Sequence, residues 1–186
     1  MFRIRNRSVG KTDIGSTLAL KFASAPGRGL EILAVPERAD ARDVLVQVKN
    51  KLPKAPVIGT GSLRRRLYVE KLWPGAQVKL IRGNVETRLA KLAKGEYDGI
   101  ILAKAGLDRL GIIEREKEHF VFQPLDPEVF LPAACQGIIA VEGRANWESR
   151  EMVEKLTGKH SCPLKRKGRY WKCCRRTAAS LRRHTA

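Results

Sequence analysis

The chain has 186 residues, 43% of them hydrophobic, which suffices for one packed domain, or one domain with part of another. No apolar run approaches the roughly 18 residues needed to span a bilayer. Met1–Gly10 carries three arginines but no apolar core, so neither a membrane protein nor a secretory signal is expected, and the expected location is cytoplasmic. The net charge of +18 is uneven: Lys159–Ala186 holds ten Lys/Arg and no Asp/Glu, so a nucleic-acid reading of the basic composition rests mainly on that tail.

Met1–Arg28 has no clean periodicity. Leu30–Val35 is a short apolar run and reads as a strand, and Val44–Val48 as a second. Asn50–Pro56 is a polar connection with two prolines. Val57–Gly59 ends a short buried strand. Ser62 is a good N-cap for a helix over Leu63–Leu72, with apolar Leu63, Leu67 and Leu72. Pro74-Gly75 stops it. Gln77–Ile81 is the next strand, Asn84 caps a helix over Val85–Lys94, and Gly99–Ala103 is a third buried strand. Leu107–Ile112 reads as a short helix or turn. Leu131–Glu142 reads as a glycine-punctuated turn running into another strand, and Asn146–Leu156 as a helix. Strands separated by helices of about ten residues imply an α/β fold around a parallel sheet.

The chemistry sits after the strands. Gly59-Thr60-Gly61-Ser62-Leu63-Arg64-Arg65 follows the first of the three, Arg82-Gly83-Asn84 with Arg88 the second, and Ala105-Gly106-Leu107-Asp108-Arg109 the third. Each strand gives way to glycine, then to a helix start, with arginine close by. In an open parallel sheet these ends share one edge, where ligands bind. Helix N-termini offer free N–H groups there, and guanidinium forks match carboxylates and phosphates. One arginine at a helix start is ordinarily a solvated surface residue. Three strand ends with the same arrangement point to a cleft for a small polyanion, either phosphate or polycarboxylate.

Four strings, in order, carry a resemblance. Val57–Arg65 resembles G-T-S-S-L-R-R, with Gly61 in place of a serine. Ile81–Leu89 resembles I-R-G-N-x-x-T-R-L. Tyr97–Gly111 resembles I-L-A-x-A-G-L-x-R-L-G, and Leu131–Glu142 resembles L-P-A-x-x-Q-G. Glu37–Val44 is similar to a segment entering a second domain. Together they resemble the porphobilinogen deaminase (hydroxymethylbilane synthase) family over roughly Gly29–Leu156. The resemblance implies a periplasmic-binding-protein-like α/β fold with a mixed or parallel sheet and flanking helices, plus fragments of first and third domains. It implies a cytoplasmic monomeric transferase that condenses four porphobilinogen units into hydroxymethylbilane, releasing ammonia, in tetrapyrrole and heme synthesis. Growth starts on a dipyrromethane cofactor. By motif, Arg64, Arg65, Arg82, Arg88 and Arg109 would hold acetate and propionate groups, with Thr60, Ser62, Gly83, Asn84, Gln136 and Gly137 beside them. No metal, membrane or specific nucleic-acid partner is implied.

The same resemblance divides the chain into a first-domain remnant (1–36), a second domain (37–128), a return segment (129–150) and a third-domain stub (151–186). The family's catalytic aspartate motif, V-H-S-L-K-D, and its cofactor-cysteine loop are both absent as written. In a shifted reading frame, codon degeneracy permits V-H-S-L, two unmatched residues and then L-P within 15–28, and a string resembling the cofactor-cysteine loop across 163–186. The expectation is therefore an inactive chain, disordered from about residue 158. Two other readings compete with it: a basic nucleic-acid-binding module built on the tail, with Tyr170 and Trp171, and an anion-binding domain without catalysis. A zinc site from His160, Cys162, Cys173, Cys174 and His184 fits no standard spacing.

Overall fold

The structure, a computed structural model, describes residues 14–18, 30–48, 52–144, 151 and 155–157. The chain divides into two compact units, Asp40–Ala133 and a second made of Met1–Ala39 with Ala134–Ala186.

The Asp40–Ala133 unit is built on five strands: β3 (Asp43–Val48), β4 (Val57–Gly59), β5 (Gln77–Lys79), β6 (Gly99–Ala103) and β7 (Phe120–Pro124). Their order across the sheet is β5-β4-β6-β3-β7. β4 pairs parallel with β5 and β6, and β3 pairs antiparallel with β6 and β7. The sheet is thus mixed rather than parallel, because β3 alone of the five runs against the others. The α/β class with flanking helices is as expected.

Helix α1 (Leu63–Leu72) joins β4 to β5, and α2 (Val85–Ala93) joins β5 to β6. The first crossover steps outward and the second steps back over β4. A crossover of fixed hand that reverses direction must change face. The two cores show this. Leu45, Ile58 and Ile101 pack with Val69, Tyr68 and Leu72 of α1. Val44, Val46, Ile100 and Leu102 pack with Leu89 and Leu92 of α2 and with Leu107 and Ile112. Alternate residues of β3 and β6 go to opposite faces, as strand geometry requires.

Helix α1 forms where expected, but not with the expected face inward. Leu63 and Leu67 are 72% and 49% exposed, while Tyr68, Val69 and Leu72 meet the sheet. The residue that begins this inward stripe, three before Tyr68, four before Val69 and seven before Leu72, is Arg65. The short helix or turn expected over Leu107–Ile112 is two helices, α3 (Lys104–Arg109) and α4 (Ile112–Glu116). Gly111 divides them, with φ at 61°. Strand β7 has no counterpart in the sequence reading. It ends in Pro124, which speaks against a strand, yet β7 lies at the sheet's edge, where a missing N–H is tolerated.

In the other unit, β1 (Ile14–Leu18), β8 (Ile139–Arg144) and β2 (Leu30–Ala34) form an antiparallel sheet in the order β1-β8-β2. Leu33, Ala34 and Val141 pack together. Strand β1 was unexpected and overlaps the segment expected to be out of frame. The expected helix over Asn146–Leu156 falls mostly outside the described residues.

Candidate functional site

Because β3 is reversed, one sheet edge gathers four carboxyl ends, after Gly59, Lys79, Ala103 and Pro124, and one amino end, at Asp43. The connections from adjacent β4 and β6 leave in opposite directions, and such a switch point opens a crevice where ligands bind. Most of the expected site residues of this unit line that edge.

Thr60 is buried just beyond β4; its N–H donates to the Lys79 carbonyl (3.1 Å) and its Oγ1 accepts from the Ser62 N–H (3.2 Å). Ser62 caps α1 and accepts from the Arg65 N–H. Asn84 caps α2, accepting from the Thr87 N–H (2.8 Å) and the Thr87 hydroxyl (2.7 Å). Gly83 precedes the cap with φ at 118°, and its carbonyl accepts from Arg88 Nε (2.9 Å). The caps therefore occupy one first-turn N–H of each helix.

The centre of the edge is a buried ion cluster that sequence reasoning missed. Asp43, with no exposed side-chain surface, accepts from Arg64 Nη2 at 2.6 Å and from Arg65 Nη2 at 2.7 Å and Nε at 3.1 Å. Arg64 Nη1 also donates to the Leu131 carbonyl, and its guanidinium lies 5.7 Å from the Phe130 ring centre. Arg65 Nη1 donates to the Ile101 carbonyl of β6 (3.1 Å). Burial pulls the Arg65 guanidinium below its ordinary pKa; Asp43 opposes this, and the charges of Arg64 and Arg88 add to it.

The other expected residues are less closely joined to it. Arg82 is exposed in the loop after β5. Arg109 is exposed at the far end of α3, a helix about 9 Å long, from the end of β6. The cation standing at the end of β6 is instead Lys104, whose Nζ lies 2.7 Å from Asp108 and 3.9 Å from Asp40. Asp40 in turn accepts a fork from Arg42 (2.7–3.1 Å), and that hydrogen bonding holds its carboxyl below the usual range against the opposing effect of burial. Gln136 and Gly137 belong to the other unit. There Arg38 Nε donates to the Gln136 carbonyl (3.0 Å), and the Ala39 N–H donates to the Gly137 carbonyl (3.1 Å). The basic tail, the zinc candidates and the expected cofactor-cysteine segment lie outside the described residues. Among the described residues, no helix is long and apolar enough to cross a membrane.

Comparison with known proteins bears on what such an edge serves. A family model described as porphobilinogen deaminase, dipyromethane cofactor binding domain, matches residues 21–152. The porphobilinogen deaminase of Acetivibrio thermocellus is 48% identical over 122 residues, covering 64% of this chain and 40% of that protein. The probable porphobilinogen deaminase of Metallosphaera sedula is 48% identical over 136 residues, covering 72% and 45%. That of Thermus thermophilus is 46% identical over 133 residues, covering 69% and 42%. The chain thus spans less than half the length of these curated relatives. Among solved structures, an ancestral arginine-binding protein bound to glutamine is 19% identical, with a TM-score of 0.41, over 75% of this chain and 60% of that one. With a family match over most of its length and sequence identity near one half to these relatives, the chain belongs to the porphobilinogen deaminase family.

Proposed function

We propose that this chain binds the carboxylate side chains of pyrroles at the carboxyl edge of its five-stranded sheet, as the cofactor-holding part of hydroxymethylbilane synthesis. One observation carries the reading: Arg64 and Arg65 converge at that edge, and Arg88, in the first turn of α2, is turned back onto the Gly83 carbonyl beside the end of β5. Acetate and propionate groups are planar anions that a guanidinium fork can grip through two parallel hydrogen bonds. A pyrrole chain bearing several of them needs several fixed cations. The donor set therefore fits a dipyrromethane, with Arg64, Arg65 and Arg88 as its cations, Arg82 in the adjoining loop, and Thr60 and Ser62 supplying polar neighbours. Gly83 and Asn84 shape the turn that carries Arg88. Arg109, Gln136 and Gly137 are taken from the family pattern and extend the same reading. When bound, the dipyrromethane supplies the primer to which further units are joined.

As written, the sequence holds neither the family's catalytic aspartate motif nor its cofactor-cysteine motif, so binding without turnover is the proposed behaviour. Two measurements test this. Titration calorimetry with porphobilinogen should show binding that weakens with added salt, as charge pairing demands, and weakens further in Arg88→Gln. Affinity unchanged in that variant and indifferent to salt would overturn the reading. Incubation with porphobilinogen, followed by assay for hydroxymethylbilane, should yield none.

A further inference from the structure

An edge that collects anions has a carboxylate at its centre. Asp43 heads β3, the one reversed strand, and is fully buried between Arg64 and Arg65. On charge alone it works against the proposed function, because a fixed negative group weakens the field that draws other anions. Its contribution must be geometric. Each guanidinium carries five N–H donors. Among the described residues, Arg64 commits two of them, to Asp43 and Leu131, and Arg65 commits three, to Asp43 and Ile101. The two arginines are consecutive on α1, about 100° apart around its axis. Side chains so placed diverge unless something draws them together. Asp43 does this by giving one carboxylate oxygen to each.

Resting on the carboxylate-binding reading above, we infer that Asp43 is a positioning residue: it converges Arg64 and Arg65 into one preset pair and leaves their other donors for a ligand carboxylate. The two arginines and Asp43 together keep a net charge of +1. The side chains stay 14% and 12% exposed, so they are held at the surface of the cluster and not sealed inside it. Preset donors bind more tightly than free ones because their ordering cost is met on folding.

Charge and geometry predict opposite outcomes for Asp43→Asn, which keeps the shape and deletes the negative charge. If attraction alone governs binding, the variant binds porphobilinogen more tightly than the parent. If Asp43 positions the arginines, it binds about tenfold or more weakly, the loss expected for a charge-assisted hydrogen bond. Asp43→Glu, which restores the charge, should fall between the two. The full chain is titrated calorimetrically at matched salt, in concentrated sucrose if Asp43→Asn is unstable, since excluded osmolytes favour the folded state. In parallel, hydrogen exchange at Arg65 Nε–H is followed by NMR; this signal should be protected in the parent and lose protection in Asp43→Asn. Equal or tighter binding by Asp43→Asn overturns the inference, as does an unprotected Arg65 Nε–H in the parent. A parent that fails to bind porphobilinogen while showing the protected signal overturns the functional reading, and the binding role of Asp43 with it, but leaves the clamp standing.

Discussion

Gly83 is the position where backbone and packing together make the sharpest prediction. Its φ is 118°, a conformation that costs an L-residue about 1–3 kcal/mol. A methyl group there would stand 2.8 Å from Thr87 Cγ2 and 2.9 Å from Thr87 Cβ. Thr87 cannot simply turn aside, because its hydroxyl is tied to Asn84 at 2.7 Å and its N–H at 2.8 Å. Relief requires a backbone shift, with an overpacking cost of about 1–3 kcal/mol. Against this, alanine restricts the unfolded chain and returns about 0.4–1 kcal/mol. Gly83→Ala should therefore destabilise the Asp40–Ala133 unit by about 2–4 kcal/mol, a large share of a typical 5–15 kcal/mol. Gly95→Ala is the control. Its φ is also positive, at 74°, but nothing lies within 4 Å of the added methyl, so its loss should stay below about 1 kcal/mol. Urea unfolding followed by circular dichroism measures both, with midpoints compared at unchanged slope. Adding Thr87→Ser to Gly83→Ala removes the nearest clashing methyl and should recover about 1 kcal/mol. Equal losses at the two glycines, or no recovery with serine, would refute the reasoning.

Three other expectations follow from the same geometry. Asp43→Ala leaves two arginines without their shared carboxylate and should cost about 3–5 kcal/mol, whereas Arg66→Ala, which breaks the exposed pair with Glu70, should cost less than about 0.5 kcal/mol; chemical denaturation of both variants gives the comparison. Asp40 has its pKa lowered from 3.8, chiefly by the Arg42 hydrogen bond, so the stability it contributes is present above pH 3.8 and is lost as the pH falls through its folded value; a carboxyl NMR titration should find its midpoint below 3.8 and find it raised in Arg42→Met. Asn84→Ala removes the α2 cap and should cost about 1 kcal/mol by thermal unfolding, together with weaker porphobilinogen binding, because the same turn carries Arg88.

How far the site was legible depends on whether the signal was local. The strand-glycine-cap-arginine order around Ser62 and Asn84 is contained in a few consecutive residues. It correctly marks where β4 ends and where α1 and α2 begin, but overruns β5, expected over Gln77–Ile81 and observed over Gln77–Lys79. Arg65 was legible as a cation but not as part of the inward face of α1. Its place at the head of the inward stripe of α1 shows only once Tyr68, Val69 and Leu72, and not Leu63 and Leu67, are known to meet the sheet. The only local signal for Asp43 is a charged residue opening the apolar run Val44–Val46, which by itself reads as a loop residue before a strand.

By itself the sequence determined the α/β class, the caps, most element positions and, through four ordered motifs, the family. Those are properties of short segments, set by side-chain periodicity and by the backbone preferences of serine, asparagine, glycine and proline. The tertiary structure alone decided that β3 runs backwards, that β7 pairs with it at the edge, and that Asp43 lies between two arginines 21 and 22 residues away in sequence. Strand direction and ion pairing depend on where distant segments close on one another, and a linear pattern carries no distance between them.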